Sequence, residues 1–268
     1  MKFTKMHGCA NDYVYINCLD GLPQDIPALA VRLSDRHTGV GGDGIVLICR
    51  SDIADFKMRM FNADGSEGKM CGNAVRCVGK YVFDRGFTDK CELDIETLSG
   101  IKHLSLRIVG GKTVSVTVSM GAPVIKTVDG GLSVFGKMYR YCDISMGNPH
   151  CVIFTDDVDT MRIEEIGREI ENMTSVFPQR TNVEFVQVIN KNTVRMRVWE
   201  RGSGETMACG TGACASAVAA IEKNFCDINC CVTVLLNGGS LEIEYKPDKS
   251  DVLMTGPAEF VFDGEIAL

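Results

Sequence analysis

Phe56–Cys77, FKMRMFNADGSEGKMCGNAVRC, and Val194–Ala215, VRMRVWERGSGETMACGTGACA, decide how this chain folds. They align without a gap at an offset of 138 residues. Met58, Arg59, Glu67, Cys71 and Gly72 fall on Met196, Arg197, Glu205, Cys209 and Gly210, and Phe61 falls on Trp199. In the first copy Phe56, Met58 and Met60 alternate with Lys57 and Arg59, which is strand period. Gly65-Ser66 breaks that strand. After Cys71-Gly72 the apolar positions Ala74, Val75, Val78, Tyr81 and Val82 take helical spacing, and Gly86 marks a stop. In the second copy Val194, Met196 and Val198 alternate with Arg195 and Arg197, and Gly202-Ser203-Gly204 follows. Residues 210–221, GTGACASAVAAI, are small and apolar on all sides, as in a central buried helix.

Two weaker matches lie upstream. Ala-Asn-Asp-Tyr at 10–13 stands 137 residues before Gly-Asn-Pro-His at 147–150, and DGIVL at 43–47 stands 139 before NVEFV at 182–186. Three matches in one order in a chain of 268 residues point to duplication. Strands are expected at 12–17, 44–49, 92–97, 102–109, 112–119, 139–145, 151–155, 183–189, 231–236, 240–246 and 258–262. Gly110-Gly111 and Asn237-Gly238-Gly239 read as tight turns. The expected fold class is α+β (α/β by some schemes). It has two similar domains, 1–119 and 120–257, each a highly curved sheet with few helices. The break is placed at Ser119–Pro123, where alternation ends in Gly and Pro.

Composition narrows the function. The net charge of −7 argues against an electrostatic nucleic-acid binder. No run nears the length of a membrane helix, and Met1–Asn11 lacks the apolar core of a signal peptide. The 13 cysteines are then expected as thiols in a reducing cytoplasm. No C-x-x-C occurs, Cys226, Cys230 and Cys231 lack a second ligand pair, and His7, His37, His103 and His150 are scattered, so neither metal nor a dithiol redox site is expected.

Each copy sets a cysteine before a glycine at the start of a helix. A helix N-terminus carries partial positive charge and N–H groups without intrahelical partners. It is expected to lower a thiol's pKa and to hold a carboxylate. Two such helices aimed at one cleft would put a thiol on each face of the carbon that bears the carboxylate. One thiolate could remove the α-proton while the opposite thiol delivers another, inverting the centre without a cofactor. A single nucleophilic cysteine with a base remains the chemical alternative, but it leaves the duplicated cysteine unexplained.

At these residues the chain closely resembles the diaminopimelate epimerases, over essentially its whole length. The carrying segments are Lys5–Tyr13 (KMHGCANDY), Phe61–Glu67 (FNADGSE), Met70–Cys77 (MCGNAVRC), Met146–Val152 (MGNPHCV), Arg180–Phe185 (RTNVEF) and Trp199–Gly212 (WERGSGETMACGTG). The resemblance implies a cofactor-independent isomerase that interconverts LL- and meso-2,6-diaminopimelate, in the lysine and peptidoglycan precursor pathway. It implies that Cys71 and Cys209 are acid and base. His150 and Glu200 would assist proton movement. The backbone of Gly72, Asn73, Gly210 and Thr211 would hold the reacting carboxylate. Asn11, Asn62, Asn148, Asn182, Glu200 and Arg201 would bind the substrate, with Arg201 at the distal carboxylate, where a guanidinium fork fits. It further implies two pseudo-symmetric domains, each a barrel-like, mostly antiparallel sheet around a central helix, with a C-terminal strand at 258–268 returning to the first.

The partner implied is a small diamino-dicarboxylate, with no nucleic acid and no membrane; a homodimer is left open. Two departures stand out. Gly44 sits where some members have Gln, so any contact there would come from backbone. Ala74 replaces a Gly of the C-G-N-G-x-R form, which suits a helix interior. A racemase of the same fold acting on proline, hydroxyproline or histidine is the nearest alternative, and a non-catalytic thiol sensor or amino-acid binding module is the alternative from another class. Paired thiols flanking one carbon would also be open to oxidation into a disulfide.

Overall fold

A computed structural model describes residues 1–267. The chain forms two compact units, Met1–Val118 with the C-terminal segment from Gly256, and Ser119–Thr255. The first contains β1 (Lys2–Gly8), β2 (Asn11–Asn17), α1 (Ile26–Ser34), β3 (Gly44–Cys49), β4 (Phe56–Asn62), β5 (Glu67–Gly68), α2 (Gly72–Asp84), β6 (Glu92–Thr97), β7 (Gly100–Val109) and β8 (Lys112–Ser119). The second contains β9 (Val124–Val134), β10 (Lys137–Ser145), β11 (Pro149–Phe154), α3 (Ile163–Glu171), β12 (Asn182–Asn190), β13 (Thr193–Glu200), β14 (Gly204–Thr206), α4 (Gly210–Glu222), β15 (Val232–Leu236), β16 (Gly239–Tyr245) and β17 (Val252–Gly256). A last strand, β18 (Glu259–Glu265), pairs antiparallel with β1. It lies within the segment expected to return to the first unit; Leu268, the end of that segment, lies outside the described residues.

The two units share one wiring. In the first, β18–β1, β1–β2, β3–β4, β4–β5, β6–β7 and β7–β8 pair antiparallel, and β2–β3 and β4–β6 pair parallel. In the second, β9–β10, β10–β11, β12–β13, β13–β14, β15–β16 and β16–β17 are antiparallel, and β11–β12 and β13–β15 parallel. The fold is α+β, with far more strands than helices. Register makes the correspondence residue by residue. Val46 opposes Met60 in one unit and Glu184 opposes Val198 in the other. Tyr13 opposes Gly44 and His150 opposes Asn182. The upstream match read as 43–47 on 182–186 therefore slips by one residue, because Gly44, not Asp43, is the counterpart of Asn182.

Each sheet wraps a helix. The helix α4 touches β10, β11, β12, β13, β15 and β16. One helix can meet six strands of a sheet only if the sheet curls around it. Eleven of its 13 residues are buried, from Gly210 to Ile221 with Thr211 alone excepted. That explains its lack of a polar face. On the outside, α1 and α3 cover β2–β4 and β12–β14. All six residues of β3, GIVLIC, are buried, and α1 lies against it. The sequence reading passes over α1, α3, β1, β5, β9, β14 and β17. Both helices have only nine residues, too few turns for the 3.6 period to stand out. In β9 the alternation breaks at Gly130-Gly131, and a Cβ on Gly130 would lie 2.4 Å from the Tyr141 ring.

Gly44 is fixed by crowding. A Cβ there would stand 2.1 Å from the Phe61 carbonyl oxygen and 2.8 Å from Tyr13 Cε1. A glutamine at this position has no room in this chain.

Candidate active site

In the first unit the site grows from a two-residue turn. Gly8 opposes Asn11, so Cys9 and Ala10 alone connect β1 to β2. Both hold positive φ, 55° and 62°, a left-handed pair that non-glycine residues adopt at a cost. The turn delivers Asn11 to the start of α2. Asn11 Nδ2 donates to Asp43 Oδ2 at 2.7 Å. A carboxylate only accepts, so this bond fixes the amide and turns Oδ1 toward the helix. There Oδ1 accepts from Cys71 Sγ at 3.3 Å and from Asn73 Nδ2 at 3.4 Å.

Two buttresses hold this group. Arg36 bridges Asp12 at 2.8 Å and Asp43 at 3.1 Å, and buried Lys5 meets Asp12 at 2.5 Å. Burial would raise the Asp12 carboxyl, but Arg36 and Lys5 outweigh it and hold it below the usual range. On the other side, fully buried Arg76 donates to Asn73 Oδ1 at 3.0 Å, to the Gly72 carbonyl at 3.3 Å and to the Pro257 carbonyl at 3.2 Å. Asn62, at the end of β4, donates to Ser66 Oγ at 3.0 Å and stands apart from the bonds around Cys71.

Cys71 is the N-cap of α2, in extended conformation. The first main-chain bond of the helix runs from Val75 N to the Cys71 carbonyl. Gly72 and Asn73 thus present their N–H groups in the first turn, where an anion is favoured.

The second unit repeats the arrangement with different chemistry. Cys209 is the extended N-cap of α4, and Ala213 N bonds its carbonyl at 2.9 Å. Its Sγ accepts from Gly212 N at 3.4 Å and lies 3.5 Å from Thr211 Oγ1. Thr211 Oγ1 accepts from Asn148 Nδ2 at 3.2 Å, and Asn148 Oδ1 is 3.1 Å from His150 Nε2. His150 Nδ1 lies 2.7 Å from Glu184 Oε1, both side chains wholly buried. Cys209 also interacts with Glu200, whose Oε1 accepts from Thr206 Oγ1 at 2.5 Å. The unit therefore brings Asn148, His150, Glu200, Cys209 and Thr211 into one hydrogen-bonded cluster, with Gly210 beside Cys209 in the chain.

The helix N-terminus does not govern the Cys209 thiol as expected. Burial pushes its pKa well above the usual value, and Glu200 and Glu184 push the same way. The bonds from Thr211 and Gly212 only partly offset this. Glu200 is raised too, by burial first and by Glu184, against lowering by Thr206, Cys209 and His150. Burial and the two carboxylates thus favour the neutral form of the Cys209 thiol.

Asn182 and Arg201 bond to each other. Asn182 Nδ2 donates to the Pro149 carbonyl at 3.0 Å, and its Oδ1 accepts from Arg201 N at 2.9 Å. The exposed Arg201 guanidinium donates to the Gln179 carbonyl at 2.7 Å. The sequence reading missed three members. Asp43 and Arg76 sit in the stretches DGIVL and MCGNAVRC as ordinary charged residues. Glu184 carries one signal, a carboxylate at an inward position of an apolar strand. Among the described residues no group of three or more His, Cys, Asp or Glu side chains is gathered as a metal site, and no helix is long and apolar enough to cross a membrane.

Comparison with known proteins now bears on this geometry. A family model described as diaminopimelate epimerase matches residues 3–126 and 142–261. A diaminopimelate epimerase of Acetivibrio thermocellus is 50% identical over 280 residues, spanning 100% of this chain and 99% of its own. Enzymes of the same name from Methanococcus maripaludis and Bacteroides thetaiotaomicron are 49% and 50% identical, each over 99% of this chain and 99% and 98% of their own. Among solved structures, a PhzF-family phenazine biosynthesis protein of Bacillus anthracis superposes with a TM-score of 0.78 at 17% identity, covering 100% of this chain and 99% of its own. A hydroxyproline epimerase from Agrobacterium vitis gives 0.74 at 15%, covering 99% and 90%. At such identities these two share the fold alone. The match across both repeats, with half of all residues identical from end to end, places the chain in the diaminopimelate epimerase family.

Proposed function

We propose that this chain interconverts LL- and meso-diaminopimelate by direct proton exchange at the α-carbon, with Cys71 and Cys209 as the two proton carriers and no cofactor. Family membership makes it an isomerase. One observation carries the two-thiol reading: two units of identical wiring each cap their central helix with a cysteine, followed by glycine. A one-base enzyme has no use for the second.

The reaction requires one thiolate to take the α-proton as the C–H bond breaks. The opposite thiol then gives its proton to the other face, leaving the second sulfur as thiolate. Cys209, whose neutral form is favoured by burial and by Glu200, suits the donor role, which leaves Cys71 to act first as base; the reverse reaction exchanges them. The carboxylate beside the reacting carbon gains charge in the transition state. First-turn N–H groups of Gly72, Asn73, Gly210 and Thr211 are the donors assigned to it. Asn11, Asn62, Asn148 and Asn182 are assigned to the polar groups of the substrate, and Arg201 to its distal carboxylate. Thirteen unbridged cysteines suit a reducing cytoplasm, and a homodimer is tested by the solution mass.

The test is exchange in D2O. Purified protein under reducing conditions, without pyridoxal phosphate, should place deuterium at the α-carbon of diaminopimelate while equilibrating the two isomers. Exchange confined to proline, hydroxyproline or histidine would overturn the substrate, and no exchange with any amino acid would overturn the reaction.

A further inference from the structure

We propose that Glu184 is a positioning residue for this epimerase: its buried carboxylate holds the Nδ1 proton of His150 and so keeps Nε2 turned to the Asn148 amide, which reaches Cys209 through Thr211. The inference rests on the epimerase reading above and adds a residue that the family motif does not assign.

Three observations carry it. Glu184 Oε1 lies 2.7 Å from His150 Nδ1, and neither side chain has any exposed surface. A carboxylate oxygen accepts, so Nδ1 donates and the tautomer is set. The second oxygen, Oε2, is buried with no hydrogen-bond partner. A buried acceptor without a partner costs stability rather than adding to it. The third observation is the other unit. Its wiring is the same, yet Val46 stands at the position of Glu184 and Tyr13 at that of His150. An apolar side chain therefore fits this place in the fold, and the carboxylate is not needed to build it.

The chain of contacts that positions the thiol is short. His150 Nε2 meets Asn148, Asn148 meets Thr211, and Thr211 touches Cys209 Sγ. A Cβ added to Gly212 would lie 2.7 Å from Glu184 Oε1 and 3.3 Å from Cys209 Sγ, so this glycine lets the carboxylate reach the helix end. The titratable groups around the pair are Cys209 on α4, Glu200 on β13 and Cys151 on β11, and both thiols feel Glu184. Removing its charge leaves Glu200 still acting on Cys209.

The experiment uses the full chain. Glu184→Gln keeps shape and removes charge. It should lower kcat for diaminopimelate at least about tenfold, in line with other buried carboxylates that fix a histidine tautomer, and leave KM within about twofold. The alkaline limb of its pH profile should move to lower pH, because the Cys209 thiol loses a neighbouring negative charge. The double variant with His150→Asn should be no slower than His150→Asn alone. In the wild type, nitrogen-15 NMR of the histidines should show Nδ1 of His150 protonated throughout the active range. An unchanged kcat in Glu184→Gln, multiplying losses in the double variant, or a bare Nδ1 would each overturn the proposal. The NMR result decides it even if Glu184→Gln fails to fold or if the wild type acts on a different amino acid.

Discussion

Single atoms separate the two thiols. Cys71 faces an amide oxygen whose orientation Asp43 enforces, whereas Cys209 faces a carboxylate, so the copies have diverged in charge while keeping their caps. Serine in place of either cysteine has a hydroxyl far too weakly acidic for the exchange. Cys71→Ser and Cys209→Ser should each lower kcat below detection in a coupled epimerase assay, with circular dichroism unchanged. Arg201→Ala should instead raise KM for diaminopimelate by about tenfold or more, with a smaller change in kcat, since a distal carboxylate is bound alike in ground and transition states. An unchanged KM would remove Arg201 from the substrate. The cysteines and asparagines were legible in the sequence because they fall in matched or family motifs. The state of Cys209 was not, because a helix dipole acts within a turn, and burial beside two carboxylates opposes it with residues distant in the chain.

The strands and turns that carry these side chains differ in how much crowding they bear. Gly44→Ala would drive a methyl group against the Phe61 carbonyl and should destabilise the fold by about 1–3 kcal/mol. Ala10→Gly should do the opposite. It relieves a left-handed residue in the turn before Asn11 and should gain up to about 1 kcal/mol. Urea midpoints of the two variants, moving in opposite directions, would check both. The repeat stretch was legible because strand and helix periods change over at Cys71 and Cys209 in both copies. The nine-residue helices and the glycine-broken β9 were not, since their patterns are too short or too interrupted for periodicity to resolve.

Across the whole molecule the free thiols set an alkaline limit. Cys77 and Cys142 are pushed up to about 11, each chiefly by burial. A thiol whose pKa is raised by folding adds stability while it stays protonated in both states. That contribution is complete below pH 9, the ordinary thiol value, and is lost as the pH rises toward about 11. Thermal midpoints should therefore fall between pH 9 and 11, and by less in Cys77→Ala, once each variant is referred to its own midpoint at pH 8. The edge strand flanking β1 and its counterpart flanking β10 have a different kind of consequence. In the second unit that strand, β9, leads into β10 through the two residues Phe135 and Gly136. In the first unit the same place is taken by β18, from the far end of the chain, with Lys2 opposite Glu265. A ribosome releases the chain from its N-terminus. The second unit has all its strands once Gly256 has emerged, while the first still waits for its last. The half that is read first is thus completed last, and nascent chains halted before β18 would expose an unfinished edge along β1.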